Sequence, residues 1–142
     1  MENYKITSAQ ITASSQYDNY HAPNQGRLKF KTTGSYAGGW SAGANDLNQW
    51  FQIDLGFETN VTYVATQGRN IYFSQWVTKY KLRYGNDGNS FQVFRQQGES
   101  LDKVWYIPFI SLLILDKLIK NMKPITPITV SLEANAYLPN PD

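Results

Sequence analysis

The chain has 142 residues, with 13 basic against 11 acidic side chains and a formal net charge of +2. That length suits one domain with its own core, and the near balance of charge gives no reason to expect a nucleic-acid partner. With no cysteine and one histidine, disulfides, thiol nucleophiles and Cys/His zinc sites are excluded, and any Ser–His catalysis must use His21.

Aromatic side chains reach 15%, and side-chain amides recur at Asn45, Asn48, Gln49, Gln52, Gln67 and Gln75. Rings suit pleated surfaces and amides suit turns and neutral polar recognition, which predicts an all-β binding module. Met1 to Lys5 lacks the basic-then-apolar order of a signal peptide. Trp105 to Leu115, interrupted by Pro108, is too short to span a bilayer. A soluble domain belonging to a larger secreted protein is therefore expected.

In chain order, Gln10 to Ser14 and Leu28 to Lys31 are short strand candidates, separated by the long polar connection Ser15 to Gly26. A second connection, Thr32 to Asn48, is rich in Gly and Ser. Trp50 to Leu55 has period two, with Phe51, Ile53 and Leu55 on one face and Gln52 and Asp54 on the other. Trp50 is expected beside them in or near the core. Val61 to Gln67 is a further strand, followed by the loop Gly68 to Gln75. Val77 to Tyr84 turns Tyr80, Leu82 and Tyr84 inward and Lys79, Lys81 and Arg83 outward as a solvated basic stripe. Asn86-Asp87-Gly88 then predicts a hairpin turn, with Phe91 to Arg95 returning. Beyond Ser100 the text changes: Ser111 to Met122 predicts an amphipathic helix, Pro124 and Pro127 interrupt, Ile128 to Leu132 is a late strand, and Asn135 to Asp142 a frayed tail. Long loops on a rigid strand scaffold suit ligand binding.

Ile11-Thr12-Ala13-Ser14-Ser15, Gly26-Arg27-Leu28, Gly39-Trp40-Ser41-Ala42 and Asn48-Gln49-Trp50-Phe51-Gln52-Ile53-Asp54-Leu55-Gly56 together resemble the discoidin domain, also called the coagulation factor 5/8 type C domain. Thr66-Gln67-Gly68-Arg69 and Gln75-Trp76-Val77-Thr78-Lys79-Tyr80-Lys81-Leu82 with Asp87-Gly88 extend the likeness over residues 4 to 98. The resemblance implies a jelly-roll β-barrel with three binding loops at one end, in a non-enzymatic extracellular or cell-surface module. Residues 1–100 are read as this domain and 101–142 as its divergent or truncated C-terminal part. The family's arginine-bearing strand is replaced at Ser131-Leu132-Glu133, and no closing strand is expected, which would leave sheet edges unpaired.

Carried over by position, the first loop spans Tyr17 to Asn24, the second Ser41 to Leu47 and the third Asn70 to Gln75. Their ligand-binding candidates are Tyr17, Asp18, Tyr20, His21, Ala44, Asn45, Asp46, Arg69, Ile71, Tyr72 and Phe73. Aromatic rings there would stack on sugars or insert at a membrane boundary. Ala44 makes the second tip small, which favours a cell-surface glycan, matrix component or membrane protein over a phospholipid headgroup. Asn45 and Asp46 are either ordinary turn formers, sugar contacts or part of a calcium site; no other cofactor is expected. Trp40, Trp50 and Trp76 are assigned structural roles, and Arg27 with Asp54 a loop-fixing ion pair. Asn60-Val61-Thr62 is an N-glycosylation sequon, usable in a secreted protein.

Overall fold

The computed structural model describes residues 6–61, 63–68, 76–106, 117–118 and 129–137. The strands are β1 (Ile11–Ala13), β2 (Gln49–Asp54), β3 (Tyr63–Val64), β4 (Trp76–Tyr84), β5 (Gln92–Val93), β6 (Val104–Tyr106), β7 (Lys117–Leu118) and β8 (Thr129–Tyr137). All pair antiparallel. Six form one sheet in the order β1-β2-β8-β4-β5, with β6 also against β4, and β3 pairs with β7. This is the all-β architecture that the strand pattern predicts, of the jelly-roll type that the resemblance implies.

The period-two strands behave as written. In β2, Phe51 is buried, and Leu55 just beyond it packs on Leu82. In β4, Tyr80 and Leu82 are buried at 4% and 2% exposure. Leu82 centres a cluster with Leu55, Val61, Val64, Tyr84, Phe94 and Trp105. The rings of Tyr80 and Trp105 stack with centroids 5.3 Å apart, and Phe94 lies 5.7 Å from Trp105. Burial pushes the Tyr80 hydroxyl above its ordinary pKa, against a weaker opposing hydrogen bond with Thr66.

Four expectations are corrected. Leu28 to Lys31 is a turn, not a strand, with Lys29 at φ 59°. Trp50 is half-buried on the face opposite Phe51, because the same alternation that buries Phe51 carries Trp50 outward with Gln52. Lys117–Leu118 falls inside the expected helix yet is a strand paired with Tyr63–Val64; the rest of Ser111 to Met122 lies outside the described residues. The late strand runs from Thr129 to Tyr137, well past the expected Leu132, and pairs with both β2 and β4.

The outward face of β4 is also more tied down than a solvated stripe. Asp102 accepts from Lys81 Nζ at 3.2 Å and Arg95 Nε at 3.1 Å, and the two cations hold its carboxyl below the usual range. Lys79 Nζ stands 5.6 Å above the Tyr106 ring. The β4–β5 turn is closed by Asp87, whose Oδ1 accepts from the N–H groups of Asn89 and Ser90 at 2.9 and 2.7 Å. Gly85 is required there, because a Cβ would collide with the Ser90 carbonyl.

Candidate functional site

Register alone gathers the loop ends. Ala13 lies opposite Phe51, so β1 ends beside the start of β2. Gln49 and Tyr80 both face Ala134 of β8, so β2 and β4 run in the same direction and begin at one end. The first connection leaves β1 there, the second enters β2 there, and the segment before Trp76 enters β4 there. Arg69, Ile71, Tyr72 and Phe73 lie outside the described residues, as does the side chain of Trp76.

The first two loops are knit together by their backbones. Tyr17 N–H donates to the Ser41 carbonyl at 2.9 Å, Ala37 N–H to Tyr20 O at 3.0 Å and Ser41 N–H to His21 O at 3.4 Å. Trp40 joins them from below: its Nε1–H donates to Ser15 O at 2.9 Å while its ring packs 5.3 Å from Phe51. Gln25, only 1% exposed, accepts the Ala37 N–H at 3.0 Å through Oε1. Gly26 fits against Phe51 so closely that a Cβ would come within 2.6 Å of its ring.

Gln49 is the hub. Its Oε1 accepts from the hydroxyls of Ser14, at 2.7 Å, and Ser15. Its Nε2 donates to Asp46 Oδ1 at 3.0 Å, and that oxygen also accepts from Asn48 N–H at 2.8 Å. Ser15 Oγ in turn accepts the N–H of Gly43 at 2.9 Å. One buried amide thereby fixes the foot of the first loop to the foot of the second, a role sequence reading did not assign. The signal was available: extending the inward alternation of Phe51 and Ile53 back by one step puts a glutamine inside.

At the tip of the first loop, Asp18 caps a short 3-10 turn, its Oδ1 accepting Tyr20 N–H at 2.8 Å. The same oxygen meets His21 Nδ1 at 2.6 Å. The His21 hydrogen bond, reinforced by Tyr20 N–H, lowers the Asp18 pKa below its ordinary 3.8. Tyr17 packs edge-on to the His21 ring at 5.4 Å. Outward stand Tyr17, Tyr20 and Tyr36, 61%, 53% and 51% exposed. In the second loop Ala44, Asn45 and Asp46 are exposed, and so is Leu47 at 68%. Leu47 adds a large apolar side chain to the loop that carries the small Ala44.

The proposed Arg27–Asp54 ion pair is not among those formed by the described residues. Arg27 is buried, but Asp54 Oδ1 accepts the Gly56 N–H at 2.7 Å and its carbonyl accepts from Gln10 Nε2 at 2.9 Å. Asp54 therefore shapes the exit from β2. No group of three or more His, Asp or Glu side chains suited to a metal occurs among the described residues.

A model of the F5/8 type C domain matches residues 10–110, and the chain belongs to that family. It is 35% identical over 107 residues to lactadherin of Rattus norvegicus, covering 70% of this chain and 24% of that protein. It is 34% identical over 107 residues to human EGF-like repeat and discoidin I-like domain-containing protein 3, covering 74% and 22%. Coagulation factor V of Bos taurus matches at 34% over 110 residues, covering 74% of this chain and 5% of its own length. The chain thus spans less than a quarter of each of these relatives.

Proposed function

We propose that this chain is a non-catalytic, extracellular binding and adhesion module, whose loop crown engages a glycan or protein on a cell surface or in the matrix. The observation that carries the reading is the rim itself. Two loops are held as one body by Gln49, Trp40 and their shared backbone bonds, yet Tyr17 and Tyr20 remain exposed. A pre-organised support lowers the ordering cost of binding, and exposed tyrosines supply apolar area with a hydrogen-bonding tip. His21 Nδ1 is committed to Asp18, an arrangement that braces the loop. Asp46 Oδ1, serving two N–H donors, belongs to the support of this rim.

A phospholipid surface is the second reading, and Leu47 is what favours it. An exposed leucine on the second loop, with exposed tyrosines on the loop bonded to it, matches a membrane boundary, where apolar tips enter and hydroxyls stay at headgroup level. Glycan-array binding and liposome co-sedimentation, with and without phosphatidylserine, separate the two. The first reading expects array hits lost in Tyr20→Ala and no lipid-dependent pelleting. Phosphatidylserine-dependent pelleting abolished by Leu47→Ala would replace it with the second, and failure of both arms with a folded chain would overturn the crown as a glycan or lipid site.

A further inference from the structure

The outer face of the large sheet carries a cleft that the loop crown does not use. It is open, with a volume of about 650 Å³, and Trp50 and Gln52 line it on the β2 side. Period two places both on the face opposite buried Phe51. Asn48, at the foot of the second loop, lies at one side, and Asn89 and Phe91 of the β4–β5 connection at the other. Arg83 also lines it. Register gives the scale: Gln52 and Arg83 both face Ser131 of β8, so they stand two strand spacings, about 10 Å, apart.

We propose that this cleft is a second binding site and takes a neutral saccharide of one or two rings. An indole and a phenyl ring offer flat apolar faces on which the C–H side of a sugar ring stacks. Three side-chain amides, Asn48, Gln52 and Asn89, each carry both donors and an acceptor, with one Asn89 N–H directed at the Asp87 carbonyl at 3.3 Å. Sugar hydroxyls need both roles at once, whereas a purely anionic ligand needs donors and cations. The volume lies in the range of small-molecule sites, which runs to about 1,000 Å³. Asn89 is presented on a fixed turn: Asp87 Oδ1 clamps the N–H groups of Asn89 and Ser90, and Gly88 supplies the φ of 75°. Asn48 is fixed through its N–H to Asp46. The site adjoins the crown at Leu47 and Asn48 and shares neither Tyr17, Tyr20 nor His21 with it.

The test is a titration of the folded, ¹⁵N-labelled chain with methyl β-galactoside, methyl β-glucoside and N-acetylglucosamine to about 50 mM, a range suited to millimolar binding. At least one sugar is expected to shift the Trp50 indole N–H and the side-chain amides of Gln52 and Asn89 saturably, leaving Tyr20 and His21 unmoved. Asn89→Ala, on an exposed turn, is expected to weaken that binding about fivefold, the effect of losing one hydrogen bond. Tyr20→Ala should leave it intact. Absence of saturable shifts with all three sugars overturns the proposal. So do shifts confined to the crown and abolished by Tyr20→Ala, which would assign the sugar to the loops instead.

Discussion

Replacing Gln49 by alanine is the most direct probe of what makes the crown rigid. The side chain is 6% exposed and takes part in three hydrogen bonds, to Ser14 Oγ, Ser15 Oγ and Asp46 Oδ1. At roughly 1 kcal/mol each, with water partly re-satisfying the serines, the loss comes to about 2–3 kcal/mol. For a chain of this size that lowers Tm by roughly 6–12 °C. Gln49→Glu sharpens the argument. It keeps the two acceptor bonds but sets a carboxylate where Nε2 stood, 3.0 Å from Asp46 Oδ1. Like charge raises the new group's pKa in the folded state, so the folded chain binds more protons there and stability falls as pH rises from the ordinary carboxylate range through the raised folded value. Gln49→Glu should therefore be destabilised at neutral pH and regain stability as pH drops toward the carboxylate range. The assay is thermal unfolding by circular dichroism at several pH values, with amide exchange at Tyr17, Ala37 and Gly43 reporting whether the loops separate. A Gln49→Ala change below about 0.5 kcal/mol, well under one hydrogen bond, with unchanged exchange at those amides would refute the hub.

Three further outcomes follow from single contacts. Gly26→Ala drives a methyl to within 2.6 Å of the Phe51 ring, so chemical denaturation should show a loss of about 1–3 kcal/mol, as overpacking does. Asp18 has a folded pKa below its ordinary 3.8 because of His21 first and Tyr20 N–H second; its contribution is present above that value and lost as pH falls through the folded pKa. Acid below about pH 3.8 should therefore loosen the first loop, read from the Tyr20 amide, and Asp18→Asn should blunt that dependence. Asn60 is exposed on the connection leaving the far end of β2, so secretion from a eukaryotic host should yield a chain shifted by glycosidase treatment, and Asn60→Gln should abolish the shift without affecting crown binding.

What the sequence made legible was local alternation. β2 and β4 followed from period two because each buries one face and solvates the other, and the β4–β5 turn from the Asn-Asp-Gly signal. Trp50 lies half-buried on the other face because parity along β2, with Gln49 and Phe51 buried on either side of it, governs its placement. Leu28 to Lys31 misled because apolar and basic residues alternate there, yet Lys29 takes a positive φ that no strand accommodates. The knitting of the loops was not legible, since serines and glutamines hydrogen-bond with any neighbour and only the fold selects which. Ser14 and Ser15 find Gln49 across more than thirty residues of chain, by distances of 35 and 34 positions.

The C-terminal strand carries the same lesson at larger scale. The sequence marks a late strand at Ile128 to Leu132 but neither its extent nor its partners. Thr129–Tyr137 lies between β2 and β4, in register with six residues of one and seven of the other. A strand in that position is defined by its two partners more than by its own residues, and its neighbours are distant in sequence. The loop ends are brought together through it, because β2 and β4 acquire their common direction only across β8. Ending the chain at residue 128 should therefore do more than trim a tail. It leaves two interior edges unpaired, which invites pairing with other chains, and it removes the element that aligns the second loop with the entry to β4. The truncated chain is expected to lose cooperative thermal unfolding, sediment as aggregate and bind none of the crown's ligands. A monomer that melts cooperatively at the parent temperature would show that β2 and β4 find each other without this strand, and the crown's geometry would then need another origin.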